Sequence, residues 1–177
     1  VPGHTPNPLT SHGNAGIASW RFNLTHEIHS YEDAVKACDE LHMATTPETM
    51  TTDRVKIVRD PRFDNDEHYA YKIGPHMWVT CEGETYAVYL YDTPIIRYHP
   101  DGTFSVDNGG FNTPTTRERL NAFLPQGFSS YHFRKKLGLR GPGTGYDKQG
   151  LWPLDHETRI DPNTTPPTKI TTAEVEL

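Results

Sequence analysis

The sequence predicts an α+β fold: a small antiparallel β-meander packed with one or two short helices, between flexible termini. Two observations carry this. Between Tyr69 and Val106, short runs of alternating or β-branched and aromatic residues are separated every few positions by turn residues. Two further segments, 30–42 and 115–124, repeat apolar residues at helical spacing behind residues that cap helices. The expected organisation is a flexible arm over 1–19, a single α+β domain over 20–156 and a disordered tail over 157–177, because both ends are rich in Pro, Thr and polar residues.

Trp20, Phe22 and Leu24 alternate with Arg21, Asn23 and Thr25, the pattern of a half-buried strand. Tyr31, Ala34, Val35, Cys38 and Leu41 then share one face of a helix over 30–42, with Ser30 as its cap and Glu32 and Asp33 at the positive end of its dipole. Val55 and Ile57 alternate with charges in a short strand that Pro61 ends. Strands follow at Tyr69–Ile73, Met77–Cys81, Thr85–Tyr91, Pro94–His99 and Thr103–Val106. Glu82-Gly83-Glu84 and Pro100-Asp101-Gly102 are their connecting turns, Gly102 supplying positive φ without steric cost.

After the break at 107–110, Thr115-Thr116-Arg117-Glu118 reads as a capping box for a helix that Pro125 closes. Residues 130–137 read as one strand, 138–145 as a glycine-rich loop, and Leu151-Trp152 as a final edge.

Composition narrows the class. No apolar run approaches the ~18–20 residues that cross a bilayer, and no leader pattern is apparent, so neither a membrane span nor an export signal is expected. The two cysteines, Cys38 and Cys81, form no disulfide framework or metal knuckle and read as small buried hydrophobes. The net charge of −6 is unevenly spread. Residues 1–110 hold 8 Lys/Arg against 16 Asp/Glu, residues 111–146 hold 6 against 1, and residues 147–177 hold 3 against 6, so a basic segment lies between two acidic ones.

Tyr89-Leu90-Tyr91-Asp92-Thr93-Pro94-Ile95-Ile96-Arg97-Tyr98-His99-Pro100-Asp101-Gly102-Thr103, followed by Gly109-Gly110-Phe111-Asn112-Thr113-Pro114-Thr115-Thr116, resembles a family of uncharacterised proteins of tailed bacteriophages and prophages. The resemblance spans about 30–125, beginning at the Ser-Tyr-Glu-Asp-Ala-Val helix start at 30–35, and departs from the pattern where Phe111 replaces a Trp after Gly-Gly. It implies a viral origin, with the host cytoplasm, or alternatively the virion, as the compartment. It implies no activity.

Candidate chemistry is thin. His26 and His29 precede the helix and His42 ends it; helix length should keep His42 away from the pair, and no metal or other cofactor is assigned. Gly141-Pro142-Gly143-Thr144-Gly145 lacks the Lys-Ser/Thr of a phosphate loop. No catalytic motif nominates a nucleophile or base. The basic segment is the remaining signal: Arg117, Arg119, Arg134, Lys135, Lys136 and Arg140 accompany Phe111, Phe128, Tyr131 and Phe133, cations for phosphates and rings for bases. Arg117 and Arg119 also read as lying in a first helical turn, where positive charge opposes the dipole. The expected function is therefore non-enzymatic binding, to nucleic acid or to a phage or host protein. A small hydrolytic enzyme and a virion or assembly component are the alternatives.

Overall fold

The computed structural model describes residues 23–51, 53–142, 151–154, 157–164 and 167–170. The expected arm at 1–19, the first half of the strand at 20–25 and the end of the glycine-rich loop lie outside them. Within them the α+β architecture holds. Helix α1 (Tyr31–Ala44) is followed by β1 (Val55–Val58), β2 (His68–Gly74), β3 (Met77–Glu82), β4 (Thr85–Leu90), β5 (Thr93–Tyr98) and β6 (Phe104–Val106). Helix α2 (Pro114–Asn121), β7 (Ser129–Phe133), β8 (Lys136–Arg140), β9 (Leu151–Pro153), β10 (Thr158–Asp161) and β11 (Thr168–Ile170) complete the chain. Strands β1 to β6 form an antiparallel meander that β10 and β11 extend, while β7, β8 and β9 make a separate sheet.

Register explains why the meander is legible. Val55, Tyr71, Val79, Val88, Ile96 and Val106 stand opposite one another across six strands, and all belong to one buried cluster. Against this face α1 packs Ala34, Ala37 and Cys38. Burial raises the Cys38 thiol to a pKa of about 12, with the neighbouring Cys81 and Asp39 adding to the shift, so the sulfur is an inert hydrophobe. The helix cap is as expected: Ser30 Oγ accepts from Asp33 N–H, and the Asp33 carboxylate accepts from His29 N–H. Tyr98 closes the core from β5, its hydroxyl donating to the carbonyls of Ile28 and Phe123.

The next row, Lys56, Ala70, Thr80, Ala87, Arg97, Ser105 and Arg159, faces the other way. At its centre Arg97 is 2% exposed. Its guanidinium donates to Asp60 at 2.7 Å, Glu82 at 2.9 Å and Glu157 at 3.4 Å, and it lies over the Phe63 ring. Tyr89 donates to the other Glu82 oxygen at 2.5 Å, while Arg62 bridges Asp60 and Asp107.

Several expectations are corrected. Asn23–Thr25 are turn and bend rather than strand, although Thr25 N–H still reaches Ile73 O. Residues 129–140 form a hairpin rather than one strand and a loop. Arg134 and Lys135 turn the chain with φ of +50° and +65°, and Gly138 is a strand residue beneath Tyr131, where a Cβ would sit 2.5 Å from the ring. The expected disordered tail contributes β10 and β11. Ile160 is fully buried, and Arg159 ties β10 to the 101–103 turn through Asp101 and Thr103.

The cap of α2 is Thr113, not Thr115, because Pro114 suits the first helical position, where no N–H is needed. Arg119 consequently lies in the last turn, where positive charge is favourable, so the expected clash with the dipole is removed for Arg119 while Arg117 stays in the first turn.

Removing one partner of a buried ion pair strands the others. Arg97→Ala should therefore lower the unfolding free energy by roughly 3–5 kcal/mol in urea denaturation; a loss below about 1 kcal/mol would show that the cluster does not hold the fold.

Candidate nucleic-acid interface

Two turns and a loop gather at one end of the meander. The β2–β3 turn places His76 at φ +58° and the two-residue β4–β5 turn places Tyr91 at φ +54°, positions where glycine or asparagine would be unstrained. Their rings stack at 4.4 Å and 18°, and Tyr91 N–H donates to His76 O. Bulky residues in this region carry strain that the surrounding fold must sustain, and such outliers concentrate at binding sites.

Beside them runs the loop 107–113. Asp107 Oδ1 accepts from Gly109 N–H and Asn108 Oδ1 from Gly110 N–H, a pair of tight Asx turns. Gly109 lies so close to β5 that a Cβ would come within 2.6 Å of Thr93 Cγ2. Between this loop, the β4–β5 turn and the start of α2 opens a cavity of about 350 Å³. Leu90 and Ile95 form part of its apolar lining, Thr93, Thr113 and Thr115 line it with hydroxyls, and Tyr91 and Phe111, both more than half exposed, stand beside it.

Asn112 joins the loop to the hairpin. Its Oδ1 accepts from Leu137 N–H at 2.8 Å and from Asn108 Nδ2 at 2.9 Å, and its carbonyl lies 3.2 Å from His132 Nε2. Leu137 pairs with His132, so the next step outward is Phe133 opposite Lys136, and the turn beyond is Arg134-Lys135. Two residues of strand, about 7 Å, separate the Asn112 contact from the cationic tip.

The six cations expected to act together are thus divided. Arg134, Lys135 and Lys136 share the tip with Phe133, which is 63% exposed and has the Arg134 guanidinium over its ring at 5.2 Å. Arg140 lies at the hairpin root, about 17 Å away along the strand, stacked on Tyr131 at 5.4 Å. Arg117 is near that root, since its carbonyl accepts from Ser130 Oγ. Arg119 is partly buried, and burial lowers its pKa. Among the described residues no ion pair engages Arg134, Lys135, Arg140 or Arg117. Of the accompanying rings, Phe128 is buried against Phe104 and serves the core.

Tyr91 and His76 were not singled out by the sequence. The only signal for them is a negative one, two connections too short to avoid positive φ and lacking glycine there.

Other candidate chemistry resolves into structural roles. His26 folds back along α1 to Glu40 at 3.3 Å, so helix length does not hold it at the helix start. His29 Nδ1 is bonded to Leu124 O, and His42 Nδ1 to the Tyr71 hydroxyl, giving each of the three histidines its own partner. His99 Nε2 lies 2.7 Å from Ser105 Oγ, a nucleophile-and-base geometry, but both side chains are buried on the sheet and neither lines the cavity. Burial, with help from Arg159 and Arg97 and against Asp101, lowers the His99 pKa to about 4. The unfolded chain takes up this proton near pH 6.5, so stability is full above that value and falls as pH drops towards 4. Thermal melts should therefore decline from pH 7 to 4.5, and His99→Gln should reduce the decline; an unchanged slope would place the titration elsewhere.

Residues 64–137 match the family model described as Kyanoviridae Gp96 protein. No curated protein and no solved structure is found to match the chain. Among the described residues no helix is long and apolar enough to cross a membrane. The matched segment begins after the 30–35 helix start and after β1, and runs through β2 to β6, the cavity loop, α2 and the hairpin tip. Over these residues the chain resembles a phage protein family.

Proposed function

We propose that this chain is a non-enzymatic phage accessory protein that binds nucleic acid in the host cytoplasm, holding the phosphate backbone on the β7–β8 hairpin. The observation that carries the reading is the turn itself. Arg134 and Lys135 occupy both central positions of a two-residue hairpin with φ positive at each, where Asn-Gly would be unstrained. Fold stability therefore does not account for them. Their charges extend from the protein without an ion-pair partner among the described residues, beside an exposed phenylalanine. Cations adjoining exposed rings suit a ligand whose backbone is anionic and whose bases present π faces.

A two-stranded ribbon is also slender enough to enter a duplex groove. From tip to root the hairpin offers charge over about 17 Å, roughly five nucleotide rises of 3.4 Å.

The test uses one variant with two readouts. Arg134→Asn/Lys135→Gly supplies the residues that a primed turn favours and should stabilise the protein by about 1–3 kcal/mol. The same variant should bind a labelled oligonucleotide more weakly. If both cations touch phosphates, the slope of log affinity against log salt should shrink by about 1.4 for a single strand. A more stable variant with unchanged affinity and slope would overturn the reading. A wild-type chain that retains no oligonucleotide at low salt but pulls down a phage or host protein through the hairpin would replace it with protein binding.

A further inference from the structure

We infer that the cavity at the turn end of the sheet receives one unstacked nucleobase from a single strand whose phosphates lie on the β7–β8 hairpin. The inference rests on the nucleic-acid reading and deepens it, because the hairpin alone would not distinguish strand from duplex.

Four observations support it. The cavity, about 350 Å³, is at the small end of ligand sites, which run from roughly 300 to 1,000 Å³. Tyr91 is held as a platform: its turn fixes the backbone, His76 covers one face of the ring at 4.4 Å, and the side chain remains 56% exposed. A ring stacked on one side, half exposed and beside a cavity, is the kind of element that binds a base regardless of sequence.

The polar lining suits a neutral heterocycle. Thr93 and Thr115 present hydroxyls with no hydrogen-bond partner among the described residues, whereas Asn108 spends its amide within the loop. Asp92 is the acidic residue of the lining, and Lys56 engages it at 3.2 Å. A cation therefore has little to attract it here.

Position supplies the fourth observation. Phe111, at the cavity wall, precedes Asn112, which is bonded to the hairpin two residues from its cationic tip. The tip lies ~7 Å, about two nucleotide rises, beyond the Asn112 contact, and the cavity wall is one residue before it, so a strand of a few nucleotides spans both. A paired base in a duplex cannot reach such a cavity without being flipped out of its stack.

The experiment compares a short oligothymidylate with a strand of equal length and charge that is abasic throughout, using fluorescence anisotropy on the full chain. The wild type should bind the thymidylate about 5–100-fold more tightly. Tyr91→Gly, which suits the positive φ and so preserves the turn, should lower that ratio about 5-fold or more. If the wild type binds both strands equally and the affinity depends on Arg134 and Lys135, the base cavity is refuted while backbone binding stands. A preference for duplex, or an undiminished ratio in Tyr91→Gly, also refutes the cavity. Failure to bind either strand overturns both readings.

Discussion

The structure depends on keeping one positive charge out of water. Arg97 is placed on the meander by the same alternation that sends Ile96 and Tyr98 into the core, and its position in the register leaves it 2% exposed. A buried guanidinium is tolerated only when it is neutralised and hydrogen-bonded. It therefore recruits Glu82 from β3, Asp60 from the connection after β1, and Glu157 from the segment before β10. Burial raises the Asp60 pKa, but Arg62 and Arg97 outweigh it and hold the carboxyl below its ordinary value. Segments distant in sequence are fixed by a need for countercharge rather than by apolar surface.

That constraint extends to the turn end of the sheet. Arg62 links Asp60 to Asp107, and Asp107 opens the loop that passes Gly109 against Thr93 and delivers Asn112 to the hairpin. Rigid support of this kind is what lets His76, Tyr91, Arg134 and Lys135 remain in a backbone region that side chains disfavour. Each such position costs of order 1–3 kcal/mol, which a marginally stable domain sustains only when surrounding contacts over-determine it. The ionic cluster and the strained turns are therefore two ends of one mechanical arrangement.

How much of this the sequence reveals follows from how local each cause is. The meander is legible because Tyr71, Val79, Val88 and Ile96 recur with period two and Asp101-Gly102 announces its turn. Helix α1 is legible because Ser30 and Asp33 cap it from within four residues. The β7–β8 hairpin is hidden because Arg134-Lys135 has none of the chemistry of a turn, so two strands read as one followed by a loop. Strand β10 is hidden because Ile160 is its single apolar residue, and its place is secured by Thr103 and Asp101, far away in the chain. The start of α2 shifts by two residues because a proline can occupy the first helical position, which the Thr-Thr-Arg-Glu pattern obscures. At the site, the basic residues were visible one by one, but their division between tip and root depends on a strand pairing the pattern did not disclose.

A net charge of −6 opposes an anionic ligand only as a sum over the whole chain. Many of the acids sit in structural contacts elsewhere. Asp60, Glu82 and Asp107 answer Arg62 and Arg97, Asp101 answers Arg159, Asp92 answers Lys56, and Asp33 caps α1. Exposed acids beyond a Debye length of about 8–10 Å are screened at ordinary salt, so a ligand at the hairpin meets the local field rather than the sum. Locally that field comes from Arg134 and Lys135, extended from the sheet on a turn with no acidic partner among the described residues. By neutralising acids within the fold and displaying cations at a strained tip, an acidic chain can present a basic surface.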